Sequence, residues 1–248
     1  MVTADTFSLS TAKAHARFRL SDDPLAVRVG FSFAGAVLFL ILAHMLFGYL
    51  RLKFGEEGFV ANVYGLFNLD DDRSLSESFN HGMLFFASAM FLLASYESRS
   101  RLALFLVALF AFAWLDDSAQ YHERMGATLV QNLNLPSAFG LRAQDFGELL
   151  AWGLAAALLS LLAIWAYRGR RSGDGLLLRL ISLPVAALLV CAMIFDMVHI
   201  VIQGDWAGRL LTVLEDGGEM LAVAAIATVA LAVARNPRRI WRQQVAQL

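Results

Sequence analysis

A chain of 248 residues that is 58% hydrophobic and only 17% charged is too apolar for an ordinary soluble domain of this size. The formal net charge is −1, and the one basic stretch, "RNPRRIWRQQ", needs no nucleic-acid partner, because a lipid-facing, topogenic role explains it. Four prolines and the lack of period-two alternation exclude a transmembrane β-barrel.

In chain order, residues 1–26 are polar, with no apolar core ahead of a small-residue cleavage site. They are expected to form a cytoplasmic tail and not a signal peptide. Six apolar runs follow at 28–50, 81–97, 102–120, 145–167, 177–202 and 210–234. Each approaches the roughly 20 residues that a bilayer crossing needs. The predicted fold is an all-α membrane protein: a bundle of six transmembrane helices over 27–235, then a basic cytoplasmic tail at 236–248. The connection after the first run carries Phe59, Val60, Tyr64 and Phe67, a pattern that predicts a short amphipathic surface helix. The stretch "ATLVQNLNLPSAFGLRA" predicts a second one. Pro184 is expected to kink the fifth helix. Cys191 is the single cysteine, so no intrachain disulfide forms.

Charge predicts orientation. Alternating helices place 14 of the 20 lysines and arginines on the side of the tail, leaving Arg51, Lys53, Arg73, Arg124, Arg142 and Arg209 opposite. This bias predicts an N-in, C-in topology.

Polar residues inside the runs gather at one depth. With about 1.5 Å of rise per residue, His44, His81, Asp116, Glu148, Asp196 and Glu219 all lie roughly 21 to 28 Å from the tail-side ends of their helices. His122, Asp117, Glu123, Glu215 and Asp216 fall in or just above the same layer. Ionisable groups in a membrane are costly, and are usually paired or functional. Imidazole and carboxylate are the ordinary ligands of zinc and non-haem iron. Asp196 and His199 are i,i+3 neighbours, and Glu215 and Glu219 are i,i+4 neighbours. The candidate ligands are His81, Asp117, His122, Asp196, His199 and Glu219, with Glu148 or Glu215 as general base. His44, Asp116, Glu123 and Asp216 complete the layer. The expected cofactor is a divalent transition metal, zinc or iron, in a mononuclear or dinuclear site. Nothing selects two histidines for haem. The run Asp70, Asp71, Asp72 reads as a solvated loop, with poor spacing for calcium. Asp117 and His122 are five residues apart, a poor match for one helical face, so the helix must bend or end between them.

The blocks "FAWLDDSAQYHERMG", "FNLDDDRSLSESFNHGML" and "LEDGGEML" resemble recurring blocks of a group of bacterial multipass membrane proteins. That resemblance implies a bacterial cytoplasmic membrane and no particular activity. The type of site is also similar to that of the ceramidase and progestin-receptor-like membrane hydrolases. This chain departs from them in having six predicted helices and no H-x-x-x-H pair in the last ones.

Three functions fit these observations. The first is a metal-dependent membrane enzyme, a hydrolase or non-haem oxidase, with the bilayer as partner and a lipid or other apolar small molecule as ligand. The second is an ion- or proton-coupled transporter. The third is a non-catalytic subunit or sensor.

Overall fold

A bilayer offers backbone N–H and C=O groups no partner but each other, so long apolar runs fold as helices. The structure, a computed structural model, describes residues 18–241 apart from 56, 72, 138–141, 196–197 and 199–204. Among the described residues there is no strand. A 3-10 turn, Leu20–Asp22, leads into α1 (Pro24–Phe54). Asp23 caps α1 by accepting from the Ala26 N–H, and Pro24 occupies the first turn, where its missing N–H costs nothing. Then come α2 (Phe59–Phe67), α3 (Leu75–Ser98), α4 (Arg101–Ala119), α5 (Tyr121–Leu133) and α6 (Ala143–Arg168). Helix α7 (Asp174–Leu189) widens into a π turn at Val190–Phe195. Helix α8 (Asp205–Thr212) passes through a second π turn, Val213–Gly217, into α9 (Gly218–Arg235), and α10 (Pro237–Trp241) follows.

Six helical stretches are long and apolar enough to cross a membrane: 24–54, 75–98, 101–119, 143–168, 174–192 and 207–235. The chain is a multipass membrane protein. Its outer surface exposes Phe39, Leu42, Leu161 and Leu183, as contact with lipid requires. The second span begins six residues earlier than its apolar run, because Ser74 caps the helix there by accepting from the Glu77 N–H at 3.0 Å. Pro184 lies inside α7 without ending it.

The sixth span is the central post. Some 67% of its apolar window is buried, against 11% for the fourth and fifth spans. Its small residues allow that: Ala224, Ala227 and Ala230 are buried between neighbours. At Gly30 a Cβ would stand 2.6 Å from Thr228 Oγ1, so α1 reaches α9 only because that position is glycine. Gly126 and Gly147 likewise bring the backbones of α5 and α6 together.

Polar contacts gather the arginine-rich connections at one end. Asp23 accepts from Arg235 at 3.0 Å and from Asn236 at 2.8 Å. Asp174 is fully buried and accepts from Ser100 Oγ at 2.6 Å, Trp241 Nε1 at 2.7 Å and the Arg171 N–H at 2.6 Å. The described histidines and acids of the polar layer, among them His44, His81, Asp116 and Glu219, lie at the opposite end.

Candidate functional site

A tight turn prepares the start of α3. The Ser74 N–H bonds the Asp71 carbonyl at 2.9 Å, and the Arg73 N–H bonds Asp71 Oδ1 at 3.0 Å. With Ser74 as cap, Glu77, Asn80 and His81 share one face of the first two turns. Opposite them stand Asp117, at the end of α4, and Asp216 and Glu219, at the second π turn and the start of α9. Glu77, Asn80, Asp117, Asp216 and Glu219, together with Leu69, Asp70, Asp71 and Met220, line a cavity of about 150 Å³. His81 sits at its edge, with Nε2 3.4 Å from Glu77 Oε1 and 3.8 Å from Asp117 Oδ2. Asn80 is 8% exposed, lines the cavity, and its Oδ1 accepts no hydrogen bond among the described residues.

The opening of α5 forms a separate cluster. Helix α4 ends at Ala119, and Gln120 takes a left-handed conformation with φ 50° and ψ 47° before α5 begins at Tyr121. The break turns the chain back so that Asp116, 2% exposed, meets His122 twice. Its Oδ1 accepts the His122 N–H at 3.1 Å, and its Oδ2 lies 3.1 Å from His122 Nδ1. The imidazole packs 5.7 Å from the ring of Trp152. The hydrogen bond that the ring donates to Asp116 raises the His122 pKa, burial opposes this, and Glu123 and Glu148 add to the rise. Gln144 bridges the cluster, donating to the Glu123 carbonyl at 3.0 Å and to Glu148 Oε1 at 2.8 Å.

The expected ligands therefore divide. His81, Asp117, Asp216 and Glu219 meet at the acidic cavity. His122, Asp116, Glu123 and Glu148 meet at the α5–α6 side. Glu215 is in the second π turn and does not line the cavity. His44, 5% exposed, accepts the Leu69 N–H through Nδ1 at 3.2 Å and backs onto the cavity from α1. Asp196 and His199 lie outside the described residues. Among the described residues, no group of three or more His, Cys, Asp or Glu side chains stands close enough to hold a metal ion.

Glu77, Asn80, Asp70 and Asp71 stand outside the set of ligands expected from the sequence. The signal for the first two is in "ESFNH", where i,i+3 and i,i+4 spacing gives them a common face with His81.

The model of a domain family of unknown function, DUF8692, matches residues 33–233. The chain belongs to that family. The DUF8692 match runs from within α1 to near the end of α9, so it takes in both clusters. No curated protein and no solved structure matches the chain.

Proposed function

We propose that this protein is a cation-dependent membrane enzyme of the hydrolase type, with its centre in the acidic cavity between α3, α4 and α9. The observation that carries this reading is Asn80. Its amide oxygen is buried without a hydrogen bond among the described residues, in a cavity also lined by Asp70, Asp71, Glu77, Asp117, Asp216 and Glu219.

Among the described residues no three of these carboxylates stand close enough together to hold an ion as they are, so binding in this reading draws Asp117, Asp216 and Glu219 inward around it. Carboxylate and amide oxygens are the ligands of hard divalent ions such as magnesium, manganese and calcium. Zinc and iron, expected from four histidines, fit less well. His81 alone of the described histidines meets the acids of the cavity, while His122 is committed to Asp116 and His44 to Leu69. Bound in the cavity, a divalent cation supplies Lewis-acid polarisation of a carbonyl or phosphoryl group. His81, between Glu77 and Asp117, is the group placed to hold or pass a proton.

In this reading the arginine-rich end faces the cytoplasm and the acidic cavity faces outward, in a bacterial cytoplasmic membrane. Transport is favoured less. Beyond Met220 the buried face of α9 continues as Val223, Ala224 and Ala227, and the Thr228 hydroxyl is spent on the Ala224 carbonyl at 2.7 Å. That face offers a proton no relay.

Titration of the purified chain with manganese(II), followed by electron paramagnetic resonance, tests the reading. One tightly held ion is expected, weakened about tenfold or more by Glu219→Gln or Asn80→Leu, the scale of loss when a metal site is perturbed. A spectrum of free manganese at every ratio would contradict it.

A further inference from the structure

On the far side of His44 lies a second cavity, of about 500 Å³, between α1, α2 and the start of the sixth span. Its size falls within the range of small-molecule sites, about 300–1,000 Å³. Its character is opposite to that of the acidic cavity: among the described residues that line it there is no carboxylate, and the charged ones are Arg51 and Arg209. Arg51 lies in the last turn of α1, with its guanidinium 5.1 Å from the centre of the Tyr64 ring. Tyr64 fits against α1 because the facing residue is Gly48, where a Cβ would stand 3.2 Å from the ring. Arg209 is exposed and forms no ion pair among the described residues.

Below the arginines the walls are apolar and open sideways. Met45, Tyr49, Leu52 and Leu210 line the cavity and are also exposed on the outer surface. His44 sits deeper, seven residues before Arg51, or about 10 Å along the helix. Its Nδ1 accepts the Leu69 N–H, so in the neutral ring the proton is on Nε2. His44, which lines the cavity, therefore carries a ring donor below the two arginines.

We propose that this cavity binds an anionic phospholipid drawn laterally from the bilayer. The phosphate lies between Arg51 and Arg209, the acyl chains follow Met45, Tyr49 and Leu52, and an ester carbonyl accepts from His44 Nε2. Guanidinium groups bind phosphate through paired, charge-assisted hydrogen bonds, and basic pockets between transmembrane helices take acidic headgroups. The site stands whether or not the acidic cavity holds a metal.

The test uses the full chain in a neutral detergent. Its thermal midpoint is measured with added phosphatidylglycerol, phosphatidylcholine or inorganic phosphate. Phosphatidylglycerol is expected to raise the midpoint, and the other two to leave it near the detergent value. Arg209→Gln, at an exposed position, is expected to weaken the phosphatidylglycerol response about tenfold in lipid concentration, the factor for roughly 1.4 kcal/mol. Arg142→Gln, outside the cavity, is expected to keep that response. Equal responses to both lipids, a full response to phosphate alone, or an unchanged response in Arg209→Gln would each overturn the proposal.

Discussion

Asp116 and His122 face each other across a helix break: one carboxylate oxygen accepts the His122 backbone N–H, and the other lies 3.1 Å from its ring Nδ1. The pair holds the turn at Gln120 and keeps a buried acid compensated. It also ties stability to pH. The His122 pKa is raised in the folded state, first by the hydrogen bond its ring donates to Asp116. Its stabilisation is therefore complete below the ordinary imidazole value of about 6.5 and is lost as pH rises through the higher folded value. Thermal unfolding of the detergent-solubilised protein from pH 6 to pH 9 is expected to show that loss. Asp116→Asn is expected to flatten this dependence and to cost about 1.5–3 kcal/mol at pH 6, the scale of a hydrogen bond to a charged group.

The same stretch shows what a sequence can carry. That the helix must break between Asp117 and His122 follows from their five-residue spacing, and Gln120 supplies the break. The six spans follow from apolar runs, because a bilayer leaves a chain few other solutions. Which helices adjoin does not follow. A span that is apolar all round has no amphipathic face to announce its neighbours, so the partners of Asp116 and Asp117 were open. Adjacent residues on a helix differ by about 100° in direction, and this sends Asp116 to His122 and Asp117 toward His81. Asn80 carries no charge to mark it in an intramembrane layer, and its role rests on the packing of α3 against its neighbours.

At the opposite end, Asp174 satisfies Ser100, Trp241 and the Arg171 backbone from a fully buried position. Asp174→Ala leaves the buried Ser100 and Trp241 donors without their acceptor and is expected to destabilise the protein by about 2–6 kcal/mol, roughly 1–3 for each. Trp241→Phe removes one neutral donor and is expected to cost about 1–3 kcal/mol, because the carboxylate keeps its other partners. Thermal midpoints of the two variants check the order of the effects.

The positive-inside reading has a direct check. Cys191 is buried, so a Cys191→Ser background leaves engineered thiols as the labelling sites. In intact spheroplasts, a membrane-impermeant maleimide is expected to label Asn134→Cys, at the end of α5, and to spare Arg170→Cys, between α6 and α7. The reverse pattern would invert the topology.

Leu69 joins the two cavities, since its side chain lines the acidic one and its N–H holds His44 beside the basic one. Calorimetric titration of the purified chain with magnesium, calcium, manganese and zinc chlorides tests the acidic cavity most directly. Saturable binding of one hard divalent ion per chain is expected, lost in the double variant Asp117→Asn with Glu219→Gln and kept in Asp116→Asn. Absence of saturable binding for all four ions, or equal binding by the double variant, would contradict a cation centre between α3, α4 and α9.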